Sequence, residues 1–377
     1  MKVAVWGLLQ LLSVSLVWGL GWKLDDSITG EDYFNKFNFY AGPDGADNMT
    51  HGMVNYVDMP NAKRLNLSYA NGDNFVMRVD TTMEQPNGRP SVRLHSKKSY
   101  RDSVIILQVA HVPLGCAVWP AFWTVTDNTT QWPKGGEIDI LENANDQYPY
   151  NLAAVHLNRT CLIENPKQTG TTIFNDCEAY ANENSGCRIA MNGTSDATWG
   201  HKLNAKGGGT VAMQRDFSRD GKGVRMWFWE NCDEPEELKK PGSSVNPDSW
   251  GTPAADFGLT QCSDQFDNHM IIFDITLCGD WAEDTYSDTT CPSQYKSCGY
   301  QVGKLGNTFE DAYWDVKTLF IYTPDENASS STTSNTKRSS EGTCALGKPP
   351  SGSAGAHLPN LTLLISLFVL TAMIILQ

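Results

Sequence analysis

The sequence predicts an all-β domain, a sandwich or a barrel, over residues 22–323. Three observations predict it. Short apolar or alternating runs recur along this stretch, parted by clusters of Gly, Pro, Asn and Asp. No long segment keeps the 3.6-residue period of an amphipathic helix, so helices should be few and short. The composition agrees: 32 Gly and 18 Pro favour turns, and 12 Trp, 13 Tyr and 14 Phe supply a large aromatic core, a sugar-binding cleft, or both. In chain order the clearest expected strands are NFVMRVD (74–80), SVRLHS (91–96), DSVIILQVAHV (102–112), EIDILE (137–142), GVRMWFWE (223–230) and HMIIFDITL (269–277). No strand–helix alternation suggests a nucleotide-binding fold, and GKGV and GGGT lack the partner residues of a phosphate loop. No internal repeat is visible.

Of the 377 residues, 43 are acidic and 29 basic, a net charge of −14. That balance argues against a nucleic-acid partner, because neutralising phosphates needs clustered Lys and Arg. The ends read as addresses. Residues 1–20 carry Lys2 ahead of an apolar run with small residues at Gly19 and Gly21, the pattern of a secretory signal peptide; a buried first helix is the competing reading. Leu361–Leu376 is a 16-residue apolar stretch followed only by Gln377. Small residues at 351–355 precede it, which reads as a glycosylphosphatidylinositol anchor signal with Ser351 or Gly352 as attachment site. A single-pass helix is the alternative, and the stretch is short for one. Residues 324–355, rich in Ser, Thr, Gly and Pro, should form a stalk, and 356–377 should be removed.

Ten cysteines, at 116, 161, 177, 187, 232, 262, 278, 291, 298 and 344, suit an oxidising compartment. Those between 116 and 298 should mostly bridge among themselves. A zinc site would need a tight Cys pair or a Cys/His cluster, and neither is seen. Asn48, Asn66, Asn128, Asn158, Asn192 and Asn327 open N-x-Ser/Thr glycosylation tripeptides. The expected location is therefore the secretory route to the outer face of the plasma membrane or the cell wall, held by a lipid anchor.

The sharpest local feature is Gly135-Gly136-Glu137-Ile138-Asp139-Ile140-Leu141-Glu142-Asn143. Side chains alternate faces along a strand, so Glu137 and Asp139 share one face and Ile138 and Ile140 the other. Glu142 falls on the wrong face unless one extra residue, a β-bulge near Ile140-Leu141, restores it. Three acids would then line one face. Like charges held close push one another's pKa upward. A glycosidase uses such a row, keeping one carboxylate ionised to attack and another protonated to donate. A solvated acidic edge and a calcium site are the bland readings. Acids alternating on a strand do not make a loop cage for calcium, though a structural calcium elsewhere on a sandwich stays open.

Glu137-Ile138-Asp139-Ile140-Leu141-Glu142 resembles the signature of glycoside hydrolase family 16 in its bulged form. Four further segments resemble the fungal laminarinase-like branch: Cys116-x-x-Trp119-Pro120-Ala121-Phe122-Trp123, Thr50-His51-Gly52-x-Val54-x-Tyr56-Val57, Ser91-Val92-Arg93-Leu94 and Cys278-Gly279-Asp280-Trp281-Ala282. Asn246-Pro247-Asp248-x-Trp250-Gly251-Thr252-Pro253 fits as well. The quoted marks run from Thr50 to Ala282, and the resemblance is taken to cover roughly residues 25–323. The resemblance implies a concanavalin-like β-jelly-roll sandwich with an open substrate cleft and retaining hydrolysis of internal β-glucan bonds. It implies Glu137 as nucleophile, Glu142 as general acid/base and Asp139 as the residue that orients or tunes the nucleophile. His156, on the neighbouring strand, would support the acid/base region. Asn143-Ala144 stands where the family often has Gly-Val, and Leu157 where it often has Thr, which leaves the fine shape of the cleft open. The partner is then a β-glucan polysaccharide, no cofactor or metal is required, and a monomer is expected.

Trp119, Trp123 and Trp281 are candidate sugar platforms, since an indole offers a flat apolar face and an N–H; Trp119 and Trp123 bracket Pro120, and core is the competing reading for one of them. Arg93 is a candidate for sugar hydroxyls or for a carboxylate. Trp227 and Trp229 share a strand face that is either core or cleft; His51, His95 and His111 read as structural. Two other functions stay open: a transglycosylase that remodels wall glucan, and a receptor that binds glucan without turnover.

Overall fold

The structure, a computed structural model, describes residues 21–42, 47–195, 197–239 and 242–325. The expected signal peptide, stalk and anchor signal, with Asn327, Cys344, Ser351 and Gly352, lie outside them.

Two antiparallel sheets form the sandwich. The eight-stranded sheet runs Thr171–Phe174, Cys187–Ala190, Leu152–His156, Glu137–Glu142, Val118–Thr126, His269–Leu277, Arg93–Tyr100, Phe37–Phe39. The nine-stranded sheet is centred on Tyr313–Pro324, Ser103–His111, Gly209–Asp216 and Gly223–Glu230. Each of the six runs expected from the sequence is a strand within a few residues of its expected bounds. The longest α-helix among the described residues has seven residues, Cys298–Lys304.

The main core lies between the sheets. It takes Ile138, Ile140 and Leu141 from the acidic strand, Phe122 and Phe273 from the next two strands of the same sheet, and Leu107, Val211 and Leu319 from the other sheet. A second apolar cluster covers the outer face of the nine-stranded sheet. There Trp227 packs edge-on to Trp250, and Trp229 does the same. Trp227 and Trp229 therefore belong to the outer cover of the sheet opposite the acids. The third cluster, Ala121, Trp123, Val125 and Ile272, sits on the outer face of the eight-stranded sheet and floors the site.

Four disulfides join described cysteines: Cys116–Cys291, Cys161–Cys262, Cys177–Cys187 and Cys278–Cys298. Cys232 is disulfide-bonded as well. Cys116–Cys291 ties the helical segment 278–304 to the chain before the strand at Val118–Thr126, and Cys278–Cys298 closes that segment on itself. Asn48, Asn66, Asn128, Asn158 and Asn192 are all exposed, as glycan acceptors must be.

Candidate active site

The acidic strand pairs with Val118–Thr126 through Glu137↔Val125 and Asp139↔Trp123, then shifts register to Leu141↔Phe122 and Glu142↔Ala121. Ile140 is thus the extra residue. Ile140 and Leu141 both point into the core, each fully buried, and Glu142 returns to the face of Glu137 and Asp139. A bulge costs ladder bonds, and here a side chain replaces them. Asn151, fully buried, donates from Nδ2 to the Ile140 carbonyl at 2.7 Å and accepts the Glu142 N–H at Oδ1 at 2.8 Å. The sequence reading missed Asn151.

Upstream, Gly135 and Gly136 both have left-handed backbones, and a Cβ on Gly135 would stand 2.6 Å from Thr126 Oγ1. Glycine is what lets the loop turn tightly into Glu137. That loop also brings Trp132 back over the strand, where its Nε1–H donates to Glu137 Oε2 at 2.8 Å. Trp119 Nε1–H donates to Glu142 Oε1, also at 2.8 Å. Each glutamate therefore carries its own indole donor. Trp132 was not among the expected residues; its position five residues before Glu137 was the signal available.

His156 lies directly across from Glu137 in the ladder, and its Nε2 is 3.3 Å from Asp139 Oδ2. Asp139 Oδ2 and His156 Nδ1 are buried without a hydrogen-bond partner among the described residues. Arg188, on the next strand, sits in register with Ala154, which in turn faces Asp139. Its guanidinium lies 4.6 Å from the Trp281 ring centroid, and Trp281 meets Trp119 edge-on at 5.8 Å. Trp281 is held there by its Cys278–Cys298 bridge and by Asn145, whose Nδ2 donates to Ala282 O at 2.8 Å. Asn143 and Asn145, in the segment that departs from the family pattern, are both buried and tie the turn after the strand.

Trp123 and Arg93 are on the site face but differ from Trp119 and Trp281. Trp123 is 8% exposed and Arg93 2%. Trp123 Nε1–H donates to Asp274 Oδ2 at 3.2 Å; Arg93 is 3.5 Å from the same oxygen and lies over the Trp123 ring. They form a packed cluster around Asp274, the missed partner, with Trp123 in register with Asp139. His95 accepts from Arg93 Nε at 3.0 Å, and burial with the Arg93 charge pushes it down to about 3. His51 is exposed beside Asp280, and His111 stacks on Tyr313.

Burial raises all three acids. Glu137 goes to about 8, with repulsion from Asp139 and Glu142 adding and His156 and the Trp132 N–H opposing. Asp139 goes to about 7, opposed by Arg188. Glu142 goes to about 7, with Asp139 adding and Arg188 and the Trp119 N–H opposing. Burial pushes His156 down against the pull of the two glutamates. Glu137 thus rises further than Glu142, the reverse of what an isolated nucleophile and acid would show. Glu137 and Asp139 titrate together as a pair, so the order of the two glutamates does not assign their roles. Glu137, Asp139 and His156 also place ligand atoms within 4.8 Å of one another. A cation there would occupy Glu137, so the metal and glycosidase readings compete for the same atoms. The other close group, Cys278, Glu283 and Cys298, has no thiolate to offer, because its cysteines are bridged to each other.

The Arg188 charge favours the ionised form of Glu142. In Arg188→Met that support is gone, and Glu142 keeps its proton to higher pH. The alkaline limb of the kcat/KM profile should move up by roughly half a unit to one unit. Arg188→Lys should stay near wild type. Full pH profiles of the three proteins check this; a shift confined to the acidic limb would contradict it.

The profile of XgeA-like, catalytic GH16 domains matches residues 37–322. A probable glycosidase of Schizosaccharomyces pombe is 36% identical over 78% of this chain and 67% of its own length. A probable endo-1,3(4)-beta-glucanase of Aspergillus fumigatus is 34% identical over 82% of this chain, which spans 47% of that relative. Laminarinase 16A of Phanerochaete chrysosporium, solved with beta-glucans in both donor and acceptor sites, superposes with TM-score 0.74 and 34% identity, covering 80% of this chain and all of that one. An elongating GH family 16 beta-1,3-glucosyltransferase superposes at 0.70 and 32% identity with the same coverage.

Proposed function

Because the chain belongs to glycoside hydrolase family 16, we propose that this domain is a retaining endo-β-glucanase that cuts internal β-1,3-glucosidic bonds, with mixed β-1,3/1,4-glucan as a second substrate. The domain is a glycoside hydrolase of a β-glucan-active family; the linkage, the endo action and the roles below are the proposal. One observation carries it: the bulge at Ile140 returns Glu142 to the face of Glu137, and each carboxylate meets an indole N–H.

In this mechanism the ionised Glu137 attacks the anomeric carbon while Glu142 protonates the departing glucosyl oxygen. The C–O bond breaks and a glycosyl ester of Glu137 forms. Glu142, now ionised, takes a proton from water, which attacks the same carbon and frees Glu137. Two inversions give net retention. Asp139, between the two, orients or tunes Glu137 through its neighbouring charge, and His156 faces Glu137 across the ladder.

A second reading, transglycosylation, has its own support. Trp119, Trp281 and Arg188 build an aromatic and cationic surface beside Glu142. A sugar held there would compete with water for the glycosyl ester. The glucosyltransferase relative at 32% identity favours keeping this reading. A receptor without turnover is disfavoured, since it has no use for three acids held together on one strand face, two of them buried. Incubating purified protein with laminarin separates the three: short reducing products are expected, lengthened products would make it a transferase, and binding without products would make it a receptor.

The sequence features of the ends support secretion and attachment through a lipid anchor at Ser351 or Gly352. No helix among the described residues is long and apolar enough to cross a membrane. Mass analysis of the mature C-terminus should find no Leu361–Gln377 peptide; its presence would overturn the anchor.

A further inference from the structure

The Cys177–Cys187 disulfide closes a short loop at its base. The loop is laced to the chain just after His156: Leu157 N–H donates to Cys177 O at 2.7 Å, and Ala179 N–H donates to Leu157 O at 2.9 Å. Gly186, left-handed, lets the loop return beneath His156, where a Cβ would stand 2.4 Å from the Val155 carbonyl. Turn bonds from Ala181 to Glu178 and from Ser185 to Asn182 shape the tip. At that tip stands Tyr180. It is 68% exposed, the most exposed large apolar side chain among the described residues. Its ring meets Trp132 edge-on at 6.0 Å, and Trp132 is the indole that holds Glu137.

We propose that Tyr180 is a further sugar-binding residue, a platform that continues the cleft past Trp132 and takes one more glucosyl unit of the β-glucan chain. The inference rests on the β-glucanase reading above. A phenol ring kept in water on a stapled loop has little structural work to do, whereas its flat face suits the C–H face of a glucose ring and its hydroxyl can bond a sugar hydroxyl. The disulfide and turn bonds pre-order the loop, so little is lost in ordering it on binding. Glu178 and Glu183 in the same loop suit a neutral polysaccharide and would repel an anionic one.

The test is the gain in kcat/KM as laminari-oligosaccharides lengthen from trimer to heptamer. In wild type the gain should include a step for the unit that reaches Tyr180. In Tyr180→Ala the heptamer-to-trimer ratio should fall roughly three- to tenfold, and Tyr180→Phe should keep most of it. If Tyr180 served only to steady Trp132, all lengths would slow together and the ratio would hold; an unchanged ratio therefore overturns the inference while leaving the glucanase reading intact. A wild type that leaves every β-glucan oligomer uncut overturns both.

Discussion

Glu137→Gln should abolish turnover of laminarin and of activated aryl β-glucosides alike, because no leaving group, however good, can replace the missing nucleophile. Glu142→Ala should behave differently. It loses about 10²- to 10⁴-fold on laminarin, whose leaving oxygen needs a proton. On an aryl glycoside with a good leaving group it should still form the glycosyl ester and then stall, since no base activates water. Azide needs no base, so it should speed Glu142→Ala and give the β-glycosyl azide. In Glu137→Ala azide can enter only from the vacated face and should give the α product. Product anomers by nuclear magnetic resonance read the roles directly. A β product from the Glu137 variant and an α product from the Glu142 variant would reverse them. Wild-type turnover from both would remove this strand from the chemistry.

Asn151→Ala should be among the most damaging changes outside the acids. Asn151 has no exposed surface, and its amide answers two backbone groups freed by the bulge, the Ile140 carbonyl and the Glu142 N–H. Its own N–H donates to Thr198 Oγ1, which fixes the strand start. Alanine leaves the two bulge groups buried and unpaired, at about 1–3 kcal/mol each. A loss of roughly 2–5 kcal/mol in urea unfolding is expected, at the large end for one substitution. Glu142 is also released from its register. A misplaced acid lowers kcat more than it raises KM, by on the order of tenfold or more. Stability and kcat both near wild type would show that the bulge holds without this clamp.

The acidic strand was readable in the sequence because its logic is local. Alternation with one inserted residue determines which side chains share a face, and Ile140 is where the structure inserts it. The bridging of the cysteines among themselves was expected from their even number, although the pairings, up to 175 residues apart, carried no local mark. Asn151, Arg188 and Asp274 were not readable, because each reaches the site through sheet order; Trp132 stands five residues before Glu137, but only the loop's return lays it over the strand. Strand neighbours far apart in the chain, such as Asp274 and Ala121, carry no mark of their pairing. Trp123 and Arg93 show a subtler limit. Trp123 was open between sugar platform and core and Arg93 between sugar hydroxyls and a carboxylate, because one strand cannot say what its neighbour brings; Asp274 pairs with both. Trp227 and Trp229 could be placed only once the order of the other sheet was known.

The central claim is that Glu137 forms a covalent bond to the sugar. An activated fluoro-glucoside that forms the ester quickly and releases it slowly should leave one glycosyl group on the protein. Proteolysis and mass spectrometry of the labelled protein should place that group on Glu137 within the Gly135–Asn143 segment. A label on Asp139 or Glu142, or no label while laminarin is cut to products of inverted anomeric configuration, would contradict it.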